Sequence, residues 1–205
     1  MRKLVYLLLF ISAFVQAQNT LKPSEAEALK AKVKTKANTT TTISSNFTQY
    51  KHLDFLSNDI ITKGELTFKS PNKIKWEYVD PFKYFVIFKD ETLHINDNGK
   101  ESNVNIGSSK LFKQLNQLII KSVKGDMFDD ESFDISYYKK DKFIEVHFAI
   151  KDEKFLEYLK AFHILFNADG DVEEVKMIEQ SNDYTRIVFK NRVLNKPVSD
   201  AFFAH

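Results

Sequence analysis

The sequence predicts a mainly β fold of the α+β class: a strongly bent antiparallel sheet or open barrel with two helical segments near its mouth. Three observations lead there. Residues 64–81 alternate apolar and polar side chains with a period of two. In all, roughly ten short strands follow one another through short turns, more than a short open sheet carries without curling. Two stretches, about 24–37 and 108–124, switch to helical spacing.

Met1 to Ala17 reads as a cleavable signal peptide. Arg2 and Lys3 form its positive end, Leu4 to Val15 its apolar run, and Val15 and Ala17 the small residues before a cut at Gln18. The run is short for a membrane span, which needs about 20 residues. Residues 18–205 are then one exported domain. Removing Arg2 and Lys3 from the 30 basic residues leaves 28, equal to the 28 acidic ones. With the charges interspersed, no basic footprint for nucleic acid exists. Cysteine is absent, which excludes disulfides, thiol nucleophiles and thiolate metal sites.

The mature chain opens with Pro23-Ser24-x-x-Glu27, which resembles a capping box, and predicts a helix from about Ser24 to Ala37. Its thin, Ala-rich stripe of Leu29 and Val33 suits a helix laid on another layer. A strand through Phe47 follows. Then comes the stretch 64–81, with Leu66, Phe68, Ile74, Trp76 and Tyr78 on the dry face and Ser70-Pro71-Asn72 as its turn. Tyr84 to Phe88 is a continuous apolar run containing Phe85 and Ile87. Asn98-Gly99 is a hairpin turn signal.

In the second helical segment Leu111, Leu115 and Leu118 recur at helical spacing, and Gly125 fits its C-terminal cap. Asp126 to Glu131 reads as an acidic, solvated turn without calcium-loop spacing. Strands then return through Phe133 to Tyr137, Ile144 to Ile150 (with Phe148), Phe162 to Phe166, Val172 to Glu179 (with Met177) and Tyr184 to Lys190, with a helical turn in Asp152 to Leu159.

The search for chemistry returns no catalytic constellation and no metal site. The five histidines stand far apart in sequence, with no two at ligand spacing. Ser70-Pro71-Asn72-Lys73 fits S-x-x-K, but that chemistry needs the pair on a helix and here it falls in a turn. The chain is read as a non-enzyme without cofactor.

Gly64, Leu66, Phe68, Pro71, Trp76 and Pro81 resemble the motif of LolA, the family of periplasmic carriers of outer-membrane lipoproteins. Phe47-Thr48-Gln49, Val175-Lys176-Met177, and Asp183 to Asn191 followed by Asn195 are similar to further stretches of that family. The resemblance implies a half-open antiparallel barrel with helices covering its mouth. It implies a carrier that takes acylated lipoproteins from an inner-membrane ABC exporter, shields their acyl chains in an apolar cavity, and crosses the periplasm as a monomer to an outer-membrane acceptor. Phe47, Leu66, Phe68, Trp76, Tyr78, Phe85, Ile87, Leu111, Leu115, Leu118, Phe148, Phe162, Phe166 and Met177 are expected to line the cavity. Where the family has a lid-holding Arg, this chain has Ser70, with Lys69 adjacent. That departure leaves room for a LolA-like carrier of another lipid or glycolipid. Separately, related half-barrels imply the alternative of a periplasmic lipoprotein-sensing or interaction module.

Overall fold

The computed structural model describes residues 20–89, 92–105, 121, 126–129 and 131–204. Helix α1 (Pro23–Thr39) comes first. Eleven strands follow: β1 (Thr42–His52), β2 (Ile60–Lys69), β3 (Lys73–Asp80), β4 (Tyr84–Lys89), β5 (Thr92–Asp97), β6 (Lys100–Asn105), β7 (Phe133–Lys140), β8 (Phe143–Ile150), β9 (Ala161–Phe166), β10 (Val172–Ile178) and β11 (Tyr184–Leu194). Between β8 and β9 lies the one-turn helix α2 (Glu153–Leu156), and 3₁₀ turns occupy Asp126–Asp129 and Asp200–Phe203. All eleven strands form one antiparallel sheet in the order β6-β5-β4-β3-β2-β1-β11-β10-β9-β8-β7, which does not close on itself.

Helix α1 starts one residue earlier than its sequence signature. Pro23, whose fixed φ and missing N–H suit the first helical position, opens it, and Glu25 rather than Glu27 reaches back, its Oε2 accepting from the Lys22 N–H at 3.1 Å. Ala26, Leu29 and Val33 are its buried stripe. The other end is fixed from a distance. Asn195, at φ 58°, accepts from the Thr41 N–H at 2.7 Å and donates to the Thr39 carbonyl at 3.1 Å. One side chain thus satisfies an orphan carbonyl of the helix and ties the α1–β1 corner to the end of β11.

Strand register decides which residues face α1. Phe47 lies opposite Gly64, Leu66 opposite Trp76, and Trp76 opposite Val86. On β4, where an unbroken apolar run carries no period, Tyr84, Val86 and Phe88 face inward. Phe85 and Ile87 share the opposite face with Lys75 and Thr67. Asn98 and Gly99, at φ 51° and 85°, form the two-residue turn between Asp97 and Lys100.

The packed core fills one half of the concave face. Leu29 and Val33 of α1 meet Val146, Phe148, Phe162, Ile164 and Phe166, and Met127 and Phe128 join them. The stretch 126–131 is therefore more than a solvated acidic turn: its two apolar residues are driven into the core while Asp126 stays in water. The C-terminal segment crosses the opposite, convex face. Lys69 donates to the Val198 carbonyl and, with Lys73, to Asp200. Lys75 sits 4.5 Å over both the Phe85 and Phe202 rings, and Phe203 is buried.

Candidate functional site

The other half of the concave face is hollow. A cavity of about 500 Å³ lies between the sheet and α1. Val33, Lys36 and Ala37 form its helical side. The sheet contributes Ile43, Leu66, Trp76, Val86, Phe88, Leu93, Ile95, Ile164, Val175, Met177, Ile187 and Phe189. Aliphatic and aromatic groups dominate, as in sites for small apolar ligands.

The floor is built on a glycine. A Cβ on Gly64 would stand 2.1 Å from the Glu77 carbonyl oxygen and 2.6 Å from Phe47 Cζ. Only a bare α-carbon lets the Phe47 ring lie across β2. From there Phe47, 2% exposed, props Trp76 edge-on at 4.9 Å and Tyr78 at 5.2 Å. Ile187 and Phe189 of β11 complete this cluster. Phe47 thus supports the floor from beneath and does not itself line the void.

Polar groups mark the two ends. At one, Tyr78 donates to Gln49 Oε1 at 3.2 Å and stacks on Tyr84 at 4.3 Å. Burial, then the neighbouring Tyr84, pushes the Tyr78 phenol up, so it stays protonated and a donor. At the other, Asp171 Oδ1 meets Lys36 Nζ at 2.7 Å and Arg192 Nη1 at 3.3 Å. Burial works against the Asp171 carboxylate, yet the two cations hold it below its usual range. Along β1 these ends correspond to Gln49 and Ile43, six residues and about 20 Å apart at the usual strand rise.

Of the residues expected at the cavity, Leu66, Trp76, Tyr78, Phe148, Phe162 and Met177 line it. Phe68 is buried in the inward-facing row beyond the void, and Phe166 lies wholly in the packed half. Phe85 and Ile87 point to the convex face, where Lys75 lies between the Phe85 ring and Phe202 of the C-terminal segment. Leu111, Leu115 and Leu118 lie outside the described residues. At the expected lid-holding position, the Ser70 N–H donates to the Thr41 carbonyl at 2.8 Å, and Lys69 turns to the C-terminal segment, away from the cavity. Sequence reasoning missed Tyr84, Val86 and Phe88, whose register the β4 run hides. It also missed Gln49, Lys36, Asp171 and Arg192, polar residues that no hydrophobic pattern flags.

A bent, unclosed sheet cupping an apolar hollow beneath one long helix is the architecture of a carrier or binding protein. The chain belongs to the family of the outer membrane lipoprotein carrier protein LolA, whose profile matches residues 38–205. No functionally curated protein matches it in sequence. Among solved structures, it is similar to a DUF1329 family protein from Desulfovibrio piger, with 12% identity over 90% of this chain and 98% of that one and a TM-score of 0.50. It is similar also to Pseudomonas aeruginosa MucB, solved with MucA, at 8% identity, a TM-score of 0.51, and coverage of 88% of this chain and 61% of that one. A LolA superfamily protein from Nitrosomonas europaea aligns at 8% identity over 88% of this chain and 97% of its own, with a TM-score of 0.49. No helix among the described residues is long and apolar enough to cross a membrane.

Proposed function

We propose that this protein is a periplasmic lipid carrier that holds the acyl chains of lipoproteins in the cavity under α1 and shuttles them from the inner to the outer membrane. The observation that carries the reading is the hollow itself. A domain with this many phenylalanines has the means to fill its centre, yet Trp76, Val86 and Ile187 face a void of about 500 Å³. An acyl chain gains about 0.8 kcal/mol for each CH₂ it brings out of water. Among the described residues, the lining has Met177 and aromatic faces and no rigid set of hydrogen-bond donors along its length, which suits a ligand that must slide in and out. In this reading residues 1–17 export the chain, an ABC exporter in the inner membrane loads it, and it works as a monomer.

A second reading keeps the fold and changes the cargo to another lipid. Ser70 favours it, since a serine side chain cannot supply the several hydrogen bonds of the lid-holding Arg that the family resemblance leads one to expect at this position.

The test is a matched pair of substitutions. Val86→Glu puts a charge into the cavity lining, and Val146→Glu puts one into the packed core, where Val146 is fully buried. V86E is expected to abolish binding of a fluorescent fatty acid and co-purification of acylated protein while circular dichroism stays native; V146E is expected to unfold the chain. If wild type binds no acyl probe, or V86E binds as wild type does, the carrier reading fails. Extraction and mass spectrometry of the co-purified lipid separates lipoprotein from the other cargo.

A further inference from the structure

The convex face of the sheet brings together two histidines that the sequence keeps sixteen positions apart. His147 on β8 lies directly opposite His163 on β9. Their rings stack with centroids 3.5 Å apart and planes 6° from parallel. Glu145, two residues before His147 and therefore on the same face of β8, brings Oε2 to 3.3 Å from His147 Nε2. One ligand atom from each of the three residues falls within 4.8 Å of the other two.

We propose that Glu145, His147 and His163 form a binding site for a transition-metal dication of the zinc, nickel or copper class, separate from the cavity and independent of lipid carriage. A tetrahedral ion with bonds of about 2.05 Å holds its nitrogen ligands about 3.3 Å apart. The three ligand atoms already lie within 4.8 Å of one another, so binding needs ring rotation and little backbone movement. Two imidazoles with one carboxylate select borderline ions over calcium or magnesium, which take oxygen ligands.

The surroundings fit a ligand set. Burial, then the adjacent His147, pushes the His163 imidazole down to about 4, so it stays neutral with a lone pair to give. Burial opposes ionisation of Glu145, yet Lys140 and His147 hold it below the usual carboxylate range, so it is charged. Lys140 Nζ holds Glu145 Oε1 at 2.8 Å, which leaves Oε2 turned to the histidines. That is the outer hydrogen bond that orients a ligating carboxylate. Tyr138 packs on His147 with ring centroids 4.6 Å apart and limits its swing. The cations facing the site are Lys140 and Lys176, the latter opposite His163 on β10 and drawn 3.8 Å over the Tyr184 ring. With one charged carboxylate among the ligands, the site binds a dication more weakly than a multi-carboxylate or thiolate centre would.

Two histidines facing each other across paired strands can also be plain surface filling, and the experiment separates the two. The full chain, stripped with chelator, is titrated calorimetrically with ZnCl₂ at pH 7.5 and with MgCl₂ as control. Wild type is expected to take one equivalent of Zn²⁺ at the site and no Mg²⁺. H147Q/H163Q is expected to lose at least tenfold in affinity, and E145Q to fall between them. H52Q/H94Q, which leaves the pair intact, is expected to bind as wild type. In unsubstituted protein, the ring-nitrogen resonances of His147 and His163 should shift together with Zn²⁺, a readout that does not depend on any variant folding. No uptake by wild type, uptake unchanged in H147Q/H163Q, or nitrogen shifts confined to other histidines each overturns the proposal.

Discussion

Replacing Gly64 with alanine tests the floor of the cavity directly. The added methyl carbon would stand 2.1 Å from the Glu77 carbonyl oxygen, and 2.6 and 2.8 Å from Phe47 Cζ and Cε1. Overpacking a core usually costs about 1–3 kcal/mol, and the lower end applies where a flexible side chain gives way. Here the nearest obstacle is backbone, held in the β2–β3 ladder at a register shift between Lys63 and Gly64. Moving Phe47 instead breaks its edge contacts with Trp76 and Tyr78, each worth about 0.5–1.5 kcal/mol beyond area burial. Both routes lead to a loss of about 3 kcal/mol. At about 2–4 °C per kcal/mol for a chain of this size, Tm should drop by about 6–12 °C. Urea unfolding followed by Trp76 fluorescence gives the free energy, since this is the sole tryptophan and it reports from the floor. Lys63→Ala, one residue away and exposed, is the control and should stay within about 0.5 kcal/mol of wild type. A G64A protein as stable as the K63A control would refute the claim that the Phe47 ring needs a bare α-carbon beneath it.

Two further outcomes follow from contacts elsewhere. Asn195→Ala removes the bonds to Thr39 and Thr41 and should cost about 1–2 kcal/mol, with amide exchange at the end of α1 accelerated ahead of the rest. Lys69 and Lys73 hold the Asp200 carboxyl down to about 2, so its contribution is present above the unfolded value near 4 and is lost as pH falls toward 2. Asp200→Asn should free the C-terminal segment at neutral pH, with exchange at residues 198–204 becoming independent of acidification while wild type loosens only in acid.

Most of the architecture is readable because an antiparallel sheet writes its pleat into the sequence. Residues 64–78 alternate, and the structure places Leu66, Trp76 and Tyr78 on one side of the sheet. Asn98-Gly99 turns where only residues tolerant of positive φ can. Where the alternation lapses, legibility ends. Tyr84 to Phe88 is apolar on both faces: Ile87 on the convex face is fully buried, and Lys75 links Phe85 there to Phe202 of the C-terminal segment, which no local pattern announces. Phe85 and Ile87 accordingly point to the convex face, while Val86 faces the hollow. Met127 and Phe128 are masked by the acids around them. The His147–His163 pair exists only through strand register between β8 and β9, and the polar ends of the cavity bring together residues far apart in the chain, such as Lys36 with Asp171 and Arg192. The hollow is also beyond a periodicity argument. A dry face looks the same whether it meets another side chain or empty space.

Among the described residues, every strand pairing but one joins neighbours in the chain. The exception is β1 with β11, two strands of 11 residues each, whose partners Asn46 and Lys190 are separated by most of the protein. Local hairpins close quickly, whereas a contact across such a separation must first overcome the entropy of a very long loop. The chain is thus two self-assembling meanders with a single slow zip between them. Phe47, Ile187 and Phe189, the supports of the cavity floor, all sit on that zip. The nascent protein can therefore acquire most of its strands before the cavity exists, and the cavity arrives late, in one step, with the closing of the seam.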